Sequence, residues 1–231
     1  MAAKEGWIDA AFRSSRRDEA YLFMKNEYVL LNYAPGTTDD RVVNGPLPIS
    51  SGFPSLAGTA FGDVGIDCAF GVPGTNNAFI FSGDLCAKID YAPGTTDDRI
   101  LQGPMTIAQM FPFFKDTVFD KGLDAAFEST RENEAYVFRG KYYSLINYAE
   151  GRLIATRPIT DGFPCLANTI FESGIGAAFA SHVNNEAYLF KEQYYARLYF
   201  TPGATNDKIF DAVKEILANW PSLRGILPHK N

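Results

Sequence analysis

The nine residues YAPGTTDDR stand at 33–41 and again, unchanged, at 91–99. An identical stretch repeated at a spacing of 58 residues (91 minus 33) points to a copied structural unit. Such units bury their apolar faces only against one another. Outward from the echo, four copies of a longer pattern emerge. Their starts read IDAAF (8–12), IDCAF (66–70), LDAAF (123–127) and IGAAF (175–179). Counted from Asp9, Asp67, Asp124 and Gly176, a second segment begins ten residues later each time: EAYLF from Glu19, NAFIF from Asn77, EAYVF from Glu134 and EAYLF from Glu186. A third follows (EYVLLNY, DLCAKIDY, KYYSLINY, QYYARLYF), and each copy closes on a proline, at Pro54, Pro112, Pro164 and Pro221. Start to proline is 45, 45, 40 and 45 residues; the third copy lacks the TTDD insertion, and the fourth keeps a worn form, FTPGATNDK.

The repeated segments are short, rich in β-branched and aromatic residues, and separated by turn residues, which is strand chemistry. With a fourth segment before the proline, each copy supplies four strands. Four such units predict an all-β chain folded as a single four-bladed β-propeller over 1–231, with blades at 7–61, 66–119, 123–171 and 175–227 and short helical segments at the blade ends. A solenoid would need end repeats with polar outer faces, and none is visible. In TNDKIFDAVKEILANW, Ile209, Val213, Ile216 and Leu217 fall near helical spacing, so copy four is expected to replace part of its last segment with a helix capped by Thr205 or Asn206. The TTDDR stretches are expected to start helical turns too, with Asp39/Asp40 and Asp97/Asp98 complementing the dipole.

With 46% hydrophobic residues in 231, the chain can bury a proper core. A net charge of −6 argues against nucleic acid and leaves room for cationic ligands. The N-terminus has no apolar run of signal-peptide length and no stretch suits a bilayer, so a cytosolic protein without membrane association is expected. Cys68, Cys86 and Cys165 read as reduced thiols, with a Cys68–Cys86 bridge as the competing reading.

In a propeller the first strand of each blade lines the central axis, where space is short. The pairs Ala10/Ala11, Cys68/Ala69, Ala125/Ala126 and Ala177/Ala178 are small accordingly, and the flanking Ile, Leu and Phe are left to pack between blades. Backbone groups facing a narrow shaft need partners. A ring of carbonyls suits a hard cation such as Ca²⁺, and a ring of amides suits an anion.

The fourfold DAAF…EAYLF…YAPG…GFP pattern resembles the hemopexin repeat, and from Trp7 to about Leu227 the chain resembles the legume seed albumin-2 family. That resemblance implies a channel calcium on the backbone carbonyls of Asp9, Asp67, Asp124 and Gly176. It implies a second ion layer, sodium or chloride, at the backbone of Ala11, Ala69, Ala126 and Ala178. It further implies spermine and haem as ligand classes, a homodimer buried through exposed aromatic blade edges, and a role near polyamine metabolism or oxidative stress. Gly176 departs from the Asp pattern, which is tolerable if ligation is through the main chain. Many hemopexin domains join first and last blades with a disulfide; no cysteine stands in blade one or four here, so closure must rest on packing.

No catalytic constellation is present. His182 and His229 are the only histidines, 47 residues apart (229 minus 182), and there is no nucleophile elbow, phosphate loop or CxxC pair. A non-enzymatic protein is expected, with both histidines as candidate haem ligands. Glu19, Glu134 and Glu186 recur at one blade position and form a candidate polyamine site if they share a mouth. A carbohydrate-binding haemagglutinin using repeated pockets, and a storage albumin without a specific ligand, are the alternatives.

Overall fold

The structure, a computed structural model, describes residues 6–230. Its strands form four antiparallel four-stranded sheets, each in simple sequence order. Blade one holds β1 (Ala10–Arg13), β2 (Glu19–Met24), β3 (Glu27–Asn32) and β4 (Arg41–Pro48). Blade two holds β5 (Cys68–Gly71), β6 (Asn77–Ser82), β7 (Leu85–Asp90) and β8 (Arg99–Thr106). Blade three holds β9 (Ala125–Glu128), β10 (Glu134–Arg139), β11 (Tyr142–Asn147) and β12 (Arg152–Pro158). Blade four holds β13 (Ala177–Ala180), β14 (Glu186–Lys191), β15 (Tyr194–Tyr199) and β16 (Lys208–Glu215). The inner strands touch in a ring, β1 to β5 to β9 to β13 and back to β1. The propeller expected from the repeat is therefore present, with helical turns at the blade ends.

Packing divides into four interblade cores rather than one. Phe12 and Tyr21 of blade one pack with Ala69 and Ile80 of blade two; Phe70 and Phe81 pack with Ala126 and Val137; Phe127 and Tyr136 with Ala178 and Leu189; Phe179 and Tyr188 with Ala11 and Leu22. Ala10 shares a core with Phe12, whereas Ala11 belongs to the core on the other side of its strand. This period-two alternation sends successive inner-strand side chains to opposite neighbours.

Two local expectations fail. Residues 208–215 form β16, not a helix, and the helical turn of blade four is confined to Ile216–Asn219, matching Ile49–Gly52, Ile107–Met110 and Ile159–Gly162 in the other blades. The reason is a bulge. Between the pairs Arg197↔Phe210 and Tyr195↔Lys214, β16 carries two more residues than β15, with Asp211 at φ 58°. Extra residues on one strand break the two-residue alternation, and the apolar spacing then imitates a helix. Second, 37–40 and 95–98 start no helix. Thr37 and Thr95 cap tight turns on Ala34 and Ala92, and strands follow at Arg41 and Arg99.

None of the three cysteines is in a disulfide, so the competing Cys68–Cys86 bridge is not formed. Cys86 Sγ instead lies 3.6 Å from Met110 Sδ, and burial pushes its thiol up to about 12. The blade edges also differ from expectation. The large apolar side chains left exposed among the described residues are Val43, Val64, Leu101, Val118, Leu153 and Val183, none of them aromatic, because the rings fill the interblade cores.

Candidate ion shaft and its surroundings

Asp9, Asp67, Asp124 and Gly176 stand one residue before the four inner strands and line a common mouth cavity of about 460 Å³ together with Trp7 and Arg139. Their backbones are held alike. The four N–H groups donate to Phe23, Phe81, Phe138 and Phe190 carbonyls, each at 2.8 Å. The three aspartate carboxylates brace the following hairpin, accepting from the backbone N–H of Lys25 (2.6 Å), Gly83 (2.7 Å) and Gly140 (2.6 Å). Arg139 adds a 2.7 Å bond to Asp124. The conserved chemistry of the Asp position within this chain is thus hairpin bracing, and a cation at the mouth would be met by main-chain oxygens.

Gly176 fits that division of labour. It keeps the backbone geometry and gives up only the brace; in blade four Lys191 Nζ bonds Ile170 O and Ser173 Oγ, both at 2.7 Å. Among the described residues no group of three or more His, Cys, Asp or Glu side chains is arranged around a metal. A cation at the mouth would then call on main-chain carbonyls, the oxygen type that suits a hard cation at about 2.3–2.6 Å. One layer deeper, Ala11, Ala69, Ala126 and Ala178 are each 1% exposed, and their methyl groups enter four different interblade cores.

The three glutamates are placed one per blade at the starts of β2, β10 and β14, but the structure does not bring them into one pocket. Glu186 lines a cavity of about 390 Å³ between the first turns of blades three and four, and is paired with Arg197 at 3.1 Å. Glu19 and Glu134 line no cavity with it; each has one buried carboxylate oxygen, Oε2, without a hydrogen bond.

Both histidines lie on the seam between blades one and four. His182 Nδ1 faces the Asp18 N–H at 3.1 Å and Tyr33 Oη at 2.8 Å, and its Nε2 donates to Ser14 O at 3.0 Å. Two donors on one nitrogen and an acceptor on the other define the neutral tautomer protonated at Nε2. Burial, then Arg13, holds its pKa below the usual imidazole range. His229 Nε2 bonds Glu27 at 2.9 Å, tying the tail to blade one, and its Nδ1 has no hydrogen bond among the described residues. The seam lacking a disulfide is closed by these imidazoles as well as by packing.

The far end of the shaft is not marked by the repeat pattern. The last residues of the inner strands are Arg13, Gly71, Glu128 and Ala180. Arg13 Nε meets Glu128 Oε1 at 3.1 Å across the ring, with Glu128 only 1% exposed. Opposite charges at one repeat position in opposite blades were a readable signal.

Four blades in sequence order around a shaft lined by small residues define a hemopexin-fold propeller. A cow pea protein described as having the hemopexin fold matches at TM-score 0.94 and 51% identity, covering 96% of this chain and 99% of that one. No family model matches the chain. The albumin-2 of Pisum sativum is 54% identical over 230 residues, 99% of each chain. An albumin from Cicer arietinum described as showing hemagglutination matches at TM-score 0.96 and 55% identity over 97% of this chain and 100% of that one. A Cicer arietinum lectin described as having two metal-binding sites matches at TM-score 0.95 and 57% identity over the same shares. The chain belongs to the albumin-2 family of seed albumins.

Proposed function

We propose that this albumin is a non-enzymatic, cytosolic binding protein that holds Ca²⁺ at the shaft mouth through main-chain carbonyls of Asp9, Asp67, Asp124 and Gly176. Sodium or chloride would occupy the layer at Ala11, Ala69, Ala126 and Ala178. The observation that carries the reading is the turning of all three aspartate carboxylates into hairpin braces while the fourfold backbone geometry is kept at glycine. The two metal-binding sites described for the Cicer lectin support it. Terbium luminescence sensitised by Trp7, which lines the mouth, tests it: saturable emission displaced by Ca²⁺ is expected, and its absence would remove the site.

The small ligand of this reading is a polyamine of the spermine class. Its support is the net charge of −6. Calorimetric titration with spermine at two salt concentrations should give saturable heat that weakens as salt rises. No heat at either concentration removes the polyamine. Haem is a further ligand for the same titration series, and among the described residues His229 Nδ1 is the imidazole nitrogen without a hydrogen bond. A homodimer would cover the apolar edge residues Val43, Leu101 and Leu153.

A glycan-binding reading is favoured by one specific observation, the hemagglutination described for a relative at 55% identity. The cavity between blades three and four, lined by Asn133, Asn184 and Asn185 beside Tyr148, has hydroxyl-binding chemistry. Agglutination of erythrocytes blocked by a particular sugar would select this reading over the polyamine one. Stored amino acid is the function left if neither ligand class binds.

A further inference from the structure

The far end of the shaft carries a charged pair that no other part of the fold explains. Arg13 ends β1 and Glu128 ends β9, so the two reach across the ring from opposite blades. Arg13 Nη1 also donates to Ser181 O at 2.7 Å, which fixes the guanidinium against blade four. The other two blades supply only Gly71 and Ala180 at this level. A Cβ on Gly71 would come within 3.0 Å of the Arg13 backbone O and 3.4 Å of Glu128 Oε1, so a methyl group there would press on the β1 backbone and touch the carboxylate. Two large charged residues in one diagonal and two small ones in the other make a built cradle.

Glu128 is 1% exposed, and its second oxygen, Oε2, makes no hydrogen bond among the described residues. Burial pushes its carboxyl above the usual carboxylate range, while the Arg13 guanidinium and then the backbone N–H groups of Glu128 and Ala180 oppose that shift by favouring the ionised form. A carboxylate beside inner-strand amides and a fixed guanidinium occupies the position a free anion would take. Cavities of about 390 and 100 Å³ are both lined by Arg13 and Glu128.

We propose that the Glu128 carboxylate is a built-in anion that closes the far end of the shaft, and that removing it leaves a binding site for a small free anion such as formate, acetate or chloride. The assignment needs no cation at the mouth and stands independently of it.

Chemical rescue tests it. Glu128→Ala should lower the thermal midpoint by on the order of 10 °C, because it leaves a buried guanidinium without its partner. Formate and acetate, titrated at constant ionic strength, should restore most of the loss saturably. The double variant Arg13→Ala/Glu128→Ala should show no anion-specific recovery. Absence of saturable recovery in the single variant, or equal recovery in the double, overturns the assignment. Should Glu128→Ala fail to fold, Glu128→Gln keeps the shape and removes only the charge. Its midpoint should then fall clearly below that of Arg13→Met/Glu128→Leu, in which both charges are gone; a Glu128→Gln variant as stable as the wild type would equally overturn the proposal.

Discussion

At the scale of single residues, the repeats compensate for one another's substitutions. Blades one and three seat a tyrosine, Tyr28 or Tyr143, over the helical turn, and the turn answers with glycine. A Cβ added at Gly52 would fall 2.0 Å from Tyr28 Oη, and one at Gly162 would fall 2.1 Å from Tyr143 Oη. These glycines are required by space. Blade two writes Cys86 in place of the tyrosine and Met110 in place of the glycine, so the thioether fills what the ring leaves empty. Gly162→Ala is expected to cost about 1–3 kcal/mol by overpacking, read from the urea midpoint. Cys86→Tyr should cost a similar amount, and most of it should return in Cys86→Tyr/Met110→Gly. If the double variant is no more stable than the single, the two positions are not coupled. The sequence alignment of the repeats showed Cys86 opposite the tyrosines but not its partner, because the pairing crosses 24 residues.

At the scale of the element, the echoed loop proves to be an interblade latch. Asp40 Oδ2 accepts from the N–H and hydroxyl of Ser222, in the 3₁₀ turn Pro221–Leu223 that ends blade four. Asp98 does the same to Ser55 in the turn Pro54–Leu56 of blade one. Asp207 accepts from the Cys165 N–H at 3.2 Å in the turn Pro164–Leu166. Each carboxylate caps the exposed N–H groups of its neighbour's turn, so the expected pairing of acid with helix start holds across blades and not within the loop. Blade three lacks the insertion and therefore the latch. At the matching turn of blade two Phe113 replaces the serine and packs on Phe111 and Phe114 at centroid distances of 5.8 and 4.6 Å. Asp98→Ala should destabilise by about 1–3 kcal/mol, whereas Asp97→Ala, one residue away and exposed, should stay within about 0.5 kcal/mol. Equal effects of the two would remove the latch. Two adjacent aspartates were legible in the sequence; which one is buried was not.

At the scale of the molecule, a ring must be closed where its two ends meet, and this ring closes without a disulfide. Tyr33 Oη accepts from the His182 backbone N–H at 2.6 Å while His182 Nδ1 accepts from blade one. Arg13, Arg17, Asp18 and Tyr33 are the charged or titratable groups that face the imidazole. Unfolded, His182 titrates near 6.5; folded, burial and Arg13 lower that value, so the unfolded chain binds the proton more readily. Its contribution is therefore complete above the unfolded value and is lost as the pH falls through it toward the lower folded one. Wild-type stability should decline on acidification from about pH 7 to 5.5, ahead of the carboxylates, and His182→Gln should flatten that decline. Denaturant midpoints across the range measure it; parallel curves for the two proteins would exclude the imidazole as the cause.

The sequence by itself determined the number of blades, the strands that line the axis and the placement of the four mouth residues, because each is written in a local period that recurs four times. The tertiary structure decided what the period does not contain. It made a strand of 208–215, since a bulge hides the two-residue alternation. It paired Glu186 with Arg197 and buried Oε2 of Glu19 and of Glu134. It also joined Arg13 to Glu128 and both histidines to the closing seam. These contacts link residues more than 100 positions apart, and only the closed ring brings them within reach.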